Sequence, residues 1–176
     1  QVISLMELST NSIAFIGLCN EYCVAVEGAR DDERASFVES MLRLLPRIYI
    51  AATDLQAGLA DDEEAYIDQA LDEDYYDAAR RNIERLLGPD DVYLEVFEED
   101  MKYSDTPVSA SVSEGLADIF QVLYNFINTI RDATDETVAL ALQAVSEDFR
   151  SYWSGSLCNV LRALNHIRYQ SSSDLD

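Results

Sequence analysis

Val112-Ser113-Glu114-Gly115-Leu116-Ala117-Asp118-Ile119-Phe120-Gln121-Val122-Leu123-Tyr124-Asn125-Phe126-Ile127-Asn128-Thr129-Ile130 decides the fold class of this 176-residue chain. Val112, Leu116, Ile119, Leu123, Phe126 and Ile130 recur at spacings of three and four, and Phe120 and Ile127 widen the stripe. That period belongs to a helix burying one face. Opposite the stripe stand Glu114, Asp118, Gln121 and Asn125, short polar residues with no Lys or Arg until Arg131. Such a ridge is either a solvated face or the lining of a cleft.

Similar stripes lie on both sides. Leu8, Phe15, Cys19, Tyr22 and Val26 form one that ends at Gly28, a favourable residue just past a helix end. Another follows a cap at Asp31 or Asp32 and runs through Val38, Met41, Leu45, Ile48, Ala52 and Leu55 to Gly58. Pro46 inside it removes a backbone donor and predicts a kink near Leu42 to Leu45. Towards the C-terminus, Thr134 caps a segment with Asp135 and Glu136 in its first turn, where the helix dipole favours them. It reads Val138, Leu142, Val145, Phe149 and Tyr152. Ser154-Gly155-Ser156 then predicts an interruption before a further helix carrying Leu157, Leu161, Leu164 and Ile167. The polar tail from Gln170 to Asp176 is expected to fray.

Between Leu59 and Asp105 lie 17 of the 34 Asp and Glu, against only Arg80, Arg81, Arg85 and Lys102. These 47 residues therefore carry 13 of the 22 net negative charges. Asp72 or Asp74 can cap a helix through Tyr76, Ala79, Ile83 and Leu86, which Gly88-Pro89 ends. Val92 to Phe97 reads as a helical turn, because no second strand pattern is present to pair with it. Glu98 to Val108 reads as loop. The expected architecture is all-α: an up-and-down bundle of about six or seven helices with an acidic looped edge. Residues 1–169 form a single domain and residues 170–176 the frayed tail.

Composition excludes several function classes. A pI near 4.1 argues against binding nucleic acid through a basic patch and against docking on an anionic membrane. The longest near-continuous apolar run, Ile13 to Cys19, is far short of the ~20 residues of a membrane span. Three sparse cysteines, Cys19, Cys23 and Cys158, point to reduced thiols and a cytoplasmic protein.

No metal or cofactor is expected. A di-metal bundle needs Glu-x-x-His pairs, but the lone histidine, His166, has Ala163 three residues before it. A calcium loop starting at Asp72 would place Asp77 where glycine is required and Ile83 where a bidentate Glu is required. Cys19 and Cys23, one turn apart, read as core. The glycines form no phosphate-binding loop. Two clusters remain: the Glu114/Asp118 ridge, and Tyr152-Trp153 with Arg162 and His166, which share a helix face.

Ser113-Glu114-Gly115-Leu116-Ala117-Asp118-Ile119-Phe120-Gln121, Tyr152-Trp153-Ser154-Gly155, Arg162-Ala163-Leu164 and Leu45-Pro46-Arg47-Ile48-Tyr49 together resemble an uncharacterised family of bacterial proteins. That family is a domain of unknown function found in Bacteroides-like bacteria. The likeness spans about Ser12 to Ile167, through short motifs of moderate specificity. It implies a helical fold and a bacterial cytoplasm, and it brings no activity or catalytic residue.

The leading functional expectation is a non-enzymatic domain that binds a cationic protein partner through its acidic middle. Tyr66, Tyr75, Tyr76, Tyr93 and Tyr103 would supply apolar anchors among carboxylates such as Asp90, Asp91, Glu98 and Glu99. The alternative is a small-molecule-binding or hydrolytic protein whose cleft joins Glu114 and Asp118 to Trp153, Arg162 and His166. Thirteen net charges in 47 residues repel one another, and exposed charges are screened over about 8 Å at physiological salt. Thermal stability is therefore expected to rise between low and moderate sodium chloride, and a flat salt response would show the repulsion to be relieved internally.

Overall fold

Side-chain caps start four of the helices. Ser9 accepts from Ser12 N at 3.0 Å, Asp72 from Tyr75 N at 2.7 Å, Ser111 from Glu114 N at 3.2 Å and Thr134 from Thr137 N at 3.3 Å. Each satisfies an amide that the first turn leaves without a partner. The computed structural model describes residues 8–55, 64–94 and 108–170, and 81% of these are helical. The helices are α1 (Thr10–Glu27), α2 (Arg34–Thr53), α3 (Glu73–Leu87), α4 (Val112–Ile130), α5 (Asp135–Asp148) and α6 (Ser154–Tyr169). A π-helical segment, Phe149–Trp153, joins α5 to α6 without a break, so the described residues hold five helices where the sequence suggests six or seven.

The interruption expected at Ser154-Gly155-Ser156 is absent, for a reason visible in the spacing of the buried residues. Ala141, Val145, Phe149, Trp153 and Leu157 are all buried and recur every fourth residue. Four residues of α-helix turn through about 400°, so four such steps would carry the stripe ~160° round the axis. The π segment inserts about one extra residue and returns ~100° of that drift.

Val92 to Leu94 also departs from expectation. Val92–Leu94 is a strand, β1, paired antiparallel with Ser109–Ser111, β2, with Tyr93 opposite Ala110. The partner is Ser-Ala-Ser, which carries no apolar alternation, so pattern reading does not reveal it. Residues 95–107 between the strands, Phe97 included, lie outside the described residues. At the other end, α1 runs into a 3₁₀ turn, Gly28–Asp31, which packs against α3 and buries Ala29. The N-cap of α2 is consequently Glu33 rather than Asp31 or Asp32, and α2 continues through Pro46 to Thr53.

α4 is the central helix and packs against α1, α3, α5 and α6, while α2 packs against α1 and α6. Phe15, Tyr22, Phe37, Leu116, Phe120, Phe126 and Trp153 are among the largest fully buried side chains. Each aromatic or aliphatic group removed from water in this way stabilises the fold by about 1.5–3 kcal/mol. Tyr22 also donates its hydroxyl to the carbonyl of Leu116 at 2.6 Å, tying α1 to α4. Among the described residues no helix is long and apolar enough to cross a membrane.

Gly115 sits where α4 meets α6: a Cβ there would stand 2.4 Å from Cγ1 of Val160. Val160 is fully buried and β-branched, so it cannot swing aside cheaply. Gly115→Ala gains about 0.5–1 kcal/mol of helix propensity but overpacks this contact, which typically costs about 1–3 kcal/mol. A net loss of stability in urea denaturation is expected, partly recovered in Gly115→Ala with Val160→Ala. A more stable Gly115→Ala protein would contradict this packing.

Candidate functional site

A cleft of about 410 Å³ opens between the first half of α4, the start of α6 and the β1–β2 ribbon. Glu114 and Asp118 line it from α4, Tyr152, Ser156 and Asn159 from the π segment and α6, and Tyr93 from β1. No Lys or Arg is among the described lining residues.

The ribbon reaches this position through Asp91. Gly88, at φ 59°, turns the chain out of α3 into the 3₁₀ turn Gly88–Asp91. Asp91 is buried, and its carboxylate accepts from Ser113 N at 2.7 Å and from Ser113 Oγ at 2.6 Å. Those donors belong to the first turn of α4, where the dipole favours an anion. Asp91 is therefore an internal cap and not part of a partner-facing surface.

Asp118 is fixed from two sides. Tyr76 of α3 donates to Oδ1 at 2.5 Å and Tyr152 donates to Oδ2 at 3.2 Å. Burial pushes the Tyr76 phenol well above its ordinary 10.0, and its hydrogen bond to Asp118 and that residue's charge push it further. Burial, then the charge and hydrogen bond of Asp118, raises the Tyr152 phenol as well. Both phenols thus remain protonated donors at neutral pH. Glu114 is exposed at the cleft mouth.

The other cleft candidates lie elsewhere. Trp153 is fully buried, stacks on Phe15 with centroids 6.5 Å apart, and donates its indole N–H to the carbonyl of Val145 at 3.2 Å. The four-residue stripe turns it inward while its neighbour Tyr152 faces the cleft. Arg162 and His166 border a separate groove on the other side of β1, where Arg162 donates to the carbonyl of Leu94 at 2.7 Å.

The acidic-middle candidates do not form one surface among the described residues. Asp90 pairs with Arg34, which also donates to the carbonyl of Leu87 at 2.9 Å. The Tyr75 ring packs edge-on against Phe120 and Tyr124, and its hydroxyl donates to Glu27 at 2.5 Å. Tyr66 bonds Asp68 through its hydroxyl and the carbonyl of Leu140 through its amide. Tyr76 and Tyr93 instead belong to the neighbourhood of the α4 cleft. Glu98, Glu99 and Tyr103 lie outside the described residues.

The second half of the α4 ridge is covered. Asn125 is buried, and its Oδ1 accepts from the amides of Ala70 and Leu71 at 2.9 and 2.8 Å. Thr129 Oγ1 accepts from Asp68 N at 2.8 Å. An extended strap before α3 thus finds partners for the amides of Asp68, Ala70 and Leu71 on helix side chains rather than in a sheet. The paired Asn125 and Thr129, one turn apart, were the available sequence signal. Among the described residues, no three His, Cys, Asp or Glu side chains gather as metal ligands.

A central helix clasped by four neighbours and a short ribbon capped onto its first turn define an all-helical fold with an acidic cleft beside α4. The chain belongs to the family described as Domain of unknown function (DUF5063), which it matches over residues 6–170. It is similar to protein BF1032 from Bacteroides fragilis, known from a crystal structure. The two share 27% identity and superpose with a TM-score of 0.80, covering 94% of this chain and 96% of that one. No curated protein matches the chain.

The phenols set a pH limit. Their folded pKa values lie above the ordinary 10.0, so the unfolded chain loses these protons first as pH rises. Their contribution is fully present below about pH 10 and is lost as pH climbs through the raised folded values. Urea midpoints should fall above about pH 10, and fall less steeply in Tyr76→Phe. An identical decline in wild type and variant would remove Tyr76 from the explanation.

Proposed function

We propose that the protein is a non-enzymatic binding domain of the bacterial cytoplasm that recognises a cationic protein partner, taking a Lys or Arg side chain into the Glu114/Asp118 cleft. One observation supports this reading: among the described residues the cleft presents two carboxylates and no cation, with Asp118 held in place by two phenol donors. A preset carboxylate loses little freedom on meeting a cation, which favours binding. Tyr93 and Tyr152 add the aromatic surface that ammonium and guanidinium groups prefer. The acidic surroundings would also speed the approach of a basic partner. A volume of about 410 Å³ suits one side chain or a small ligand rather than a whole interface. The hydrolytic alternative draws less support, because Arg162 and His166, its cation and base, line a different groove.

Titration of the full chain with a short Arg- and Lys-rich peptide, followed by calorimetry, tests the proposal. Glu114→Gln with Asp118→Asn should weaken binding at least tenfold, about 1.4 kcal/mol. Glu21→Gln with Glu39→Gln removes the same charge from α1 and α2, outside the cleft, and should change affinity little. Equal losses in the two double variants would mean that net charge alone attracts the peptide, and the cleft would then have no special role.

A further inference from the structure

β1 separates two concave sites of opposite character. On the side away from the acidic cleft, a groove of about 320 Å³ runs between the strand and the second half of α6. Val92 and Leu94, two apart and hence on one face of the strand, form one wall. They are 63% and 54% exposed, unusual for large aliphatic side chains in a three-residue strand. Ala163 and Ile167 of α6 form the opposite wall.

Arg162 and His166, one helical turn apart, stand at the rim of this groove. A guanidinium nitrogen of Arg162 donates to the carbonyl of Leu94, which ties the side chain to the ribbon, and among the described residues its other donors have no hydrogen-bond partner. No carboxylate of the described residues lies within ion-pair distance of it. Asp90, the one carboxylate among the described lining residues, is held by Arg34. Among the described residues, the groove therefore joins exposed apolar walls to a cation with no carboxylate partner, in a chain of net charge −22.

We propose that this groove binds an aliphatic carboxylate, its chain against Val92, Leu94 and Ile167 and its head group on Arg162 beside His166. The size favours a small ligand, since pockets for such molecules begin near 300 Å³, whereas protein interfaces spread over about 800 Å² per partner. Guanidinium matches a carboxylate in shape as well as charge, through paired parallel hydrogen bonds. The long-range repulsion from the acidic surface is damped within about 8 Å at physiological salt, so the local cation dominates at the rim.

The test is an NMR titration of the ¹⁵N-labelled full chain with octanoate, octan-1-ol and octylammonium in parallel. Octanoate should shift the amides of Val92, Leu94, Ala163 and Ile167 saturably, more tightly than the other two and several-fold more tightly than hexanoate. Arg162→Gln should weaken octanoate at least tenfold, Arg162→Lys should weaken it by less, keeping the charge but losing the paired hydrogen bonds, and Leu94→Ser should weaken it with the head group intact. The proposal is overturned if octan-1-ol binds as well as octanoate, if Arg162→Gln binds normally, or if these amides do not respond. Because Glu114 and Asp118 take no part, failure here would leave the peptide-binding proposal untouched, and the reverse also holds.

Discussion

The close approach of α4 to α6 at Gly115 and Val160 governs where the candidate cleft lies. A glycine on one helix admits a β-branched side chain from the other, with no room for even a methyl group between them. Asp118, three residues beyond Gly115, and Ser156 and Asn159, just before Val160, are thereby brought to opposite walls of one cleft. Because α4 also packs against α1, α3 and α5, its position is set by neighbours on every side. A shift at this contact would move the cleft and strain the core together, as expected of an interior packed at crystal-like density.

The π segment is the second constraint and follows from the first. α5 and α6 must present one continuous apolar stripe to the core, yet their large residues are spaced by four rather than by the helical 3.6. One inserted residue keeps Phe149, Trp153 and Leu157 inward, and the same insertion leaves Tyr152 facing Asp118. The packing solution and the cleft wall are thus one local distortion, in keeping with the frequent occurrence of π-bulges at functional sites.

Charge is used inwardly more than the composition suggests. Asp91 satisfies the first turn of α4, Asp118 is held by two phenols, and Asp90 is paired with Arg34. Each carboxylate gains dedicated donors in exchange for lost hydration, which keeps burial of the charge tolerable. These polar links add to the apolar packing of α3 on α4, where Ala79, Ile83 and Leu87 are buried.

Helical content, the caps at Asp72 and Thr134, the α4 stripe and its polar ridge were all legible in the chain, because periodicity and capping are local properties. Gly88-Pro89 likewise marked the end of α3. The Ser109–Ser111 strand was not legible, since a strand without apolar alternation is defined only by its hydrogen-bonded partner. Nor was the division of the ridge: Glu114 and Asp118 face a cleft while Asn125 lies beneath the strap, though all four residues share one helix face in sequence. Trp153, Arg162 and His166 stand close along the chain, yet one is sealed in the core and two line another groove. Sequence by itself determined the all-helical class, the main helical segments and which of their faces are apolar. The tertiary structure alone decided which polar residues meet, because that depends on how closely helices pack and on which extended segments cover them.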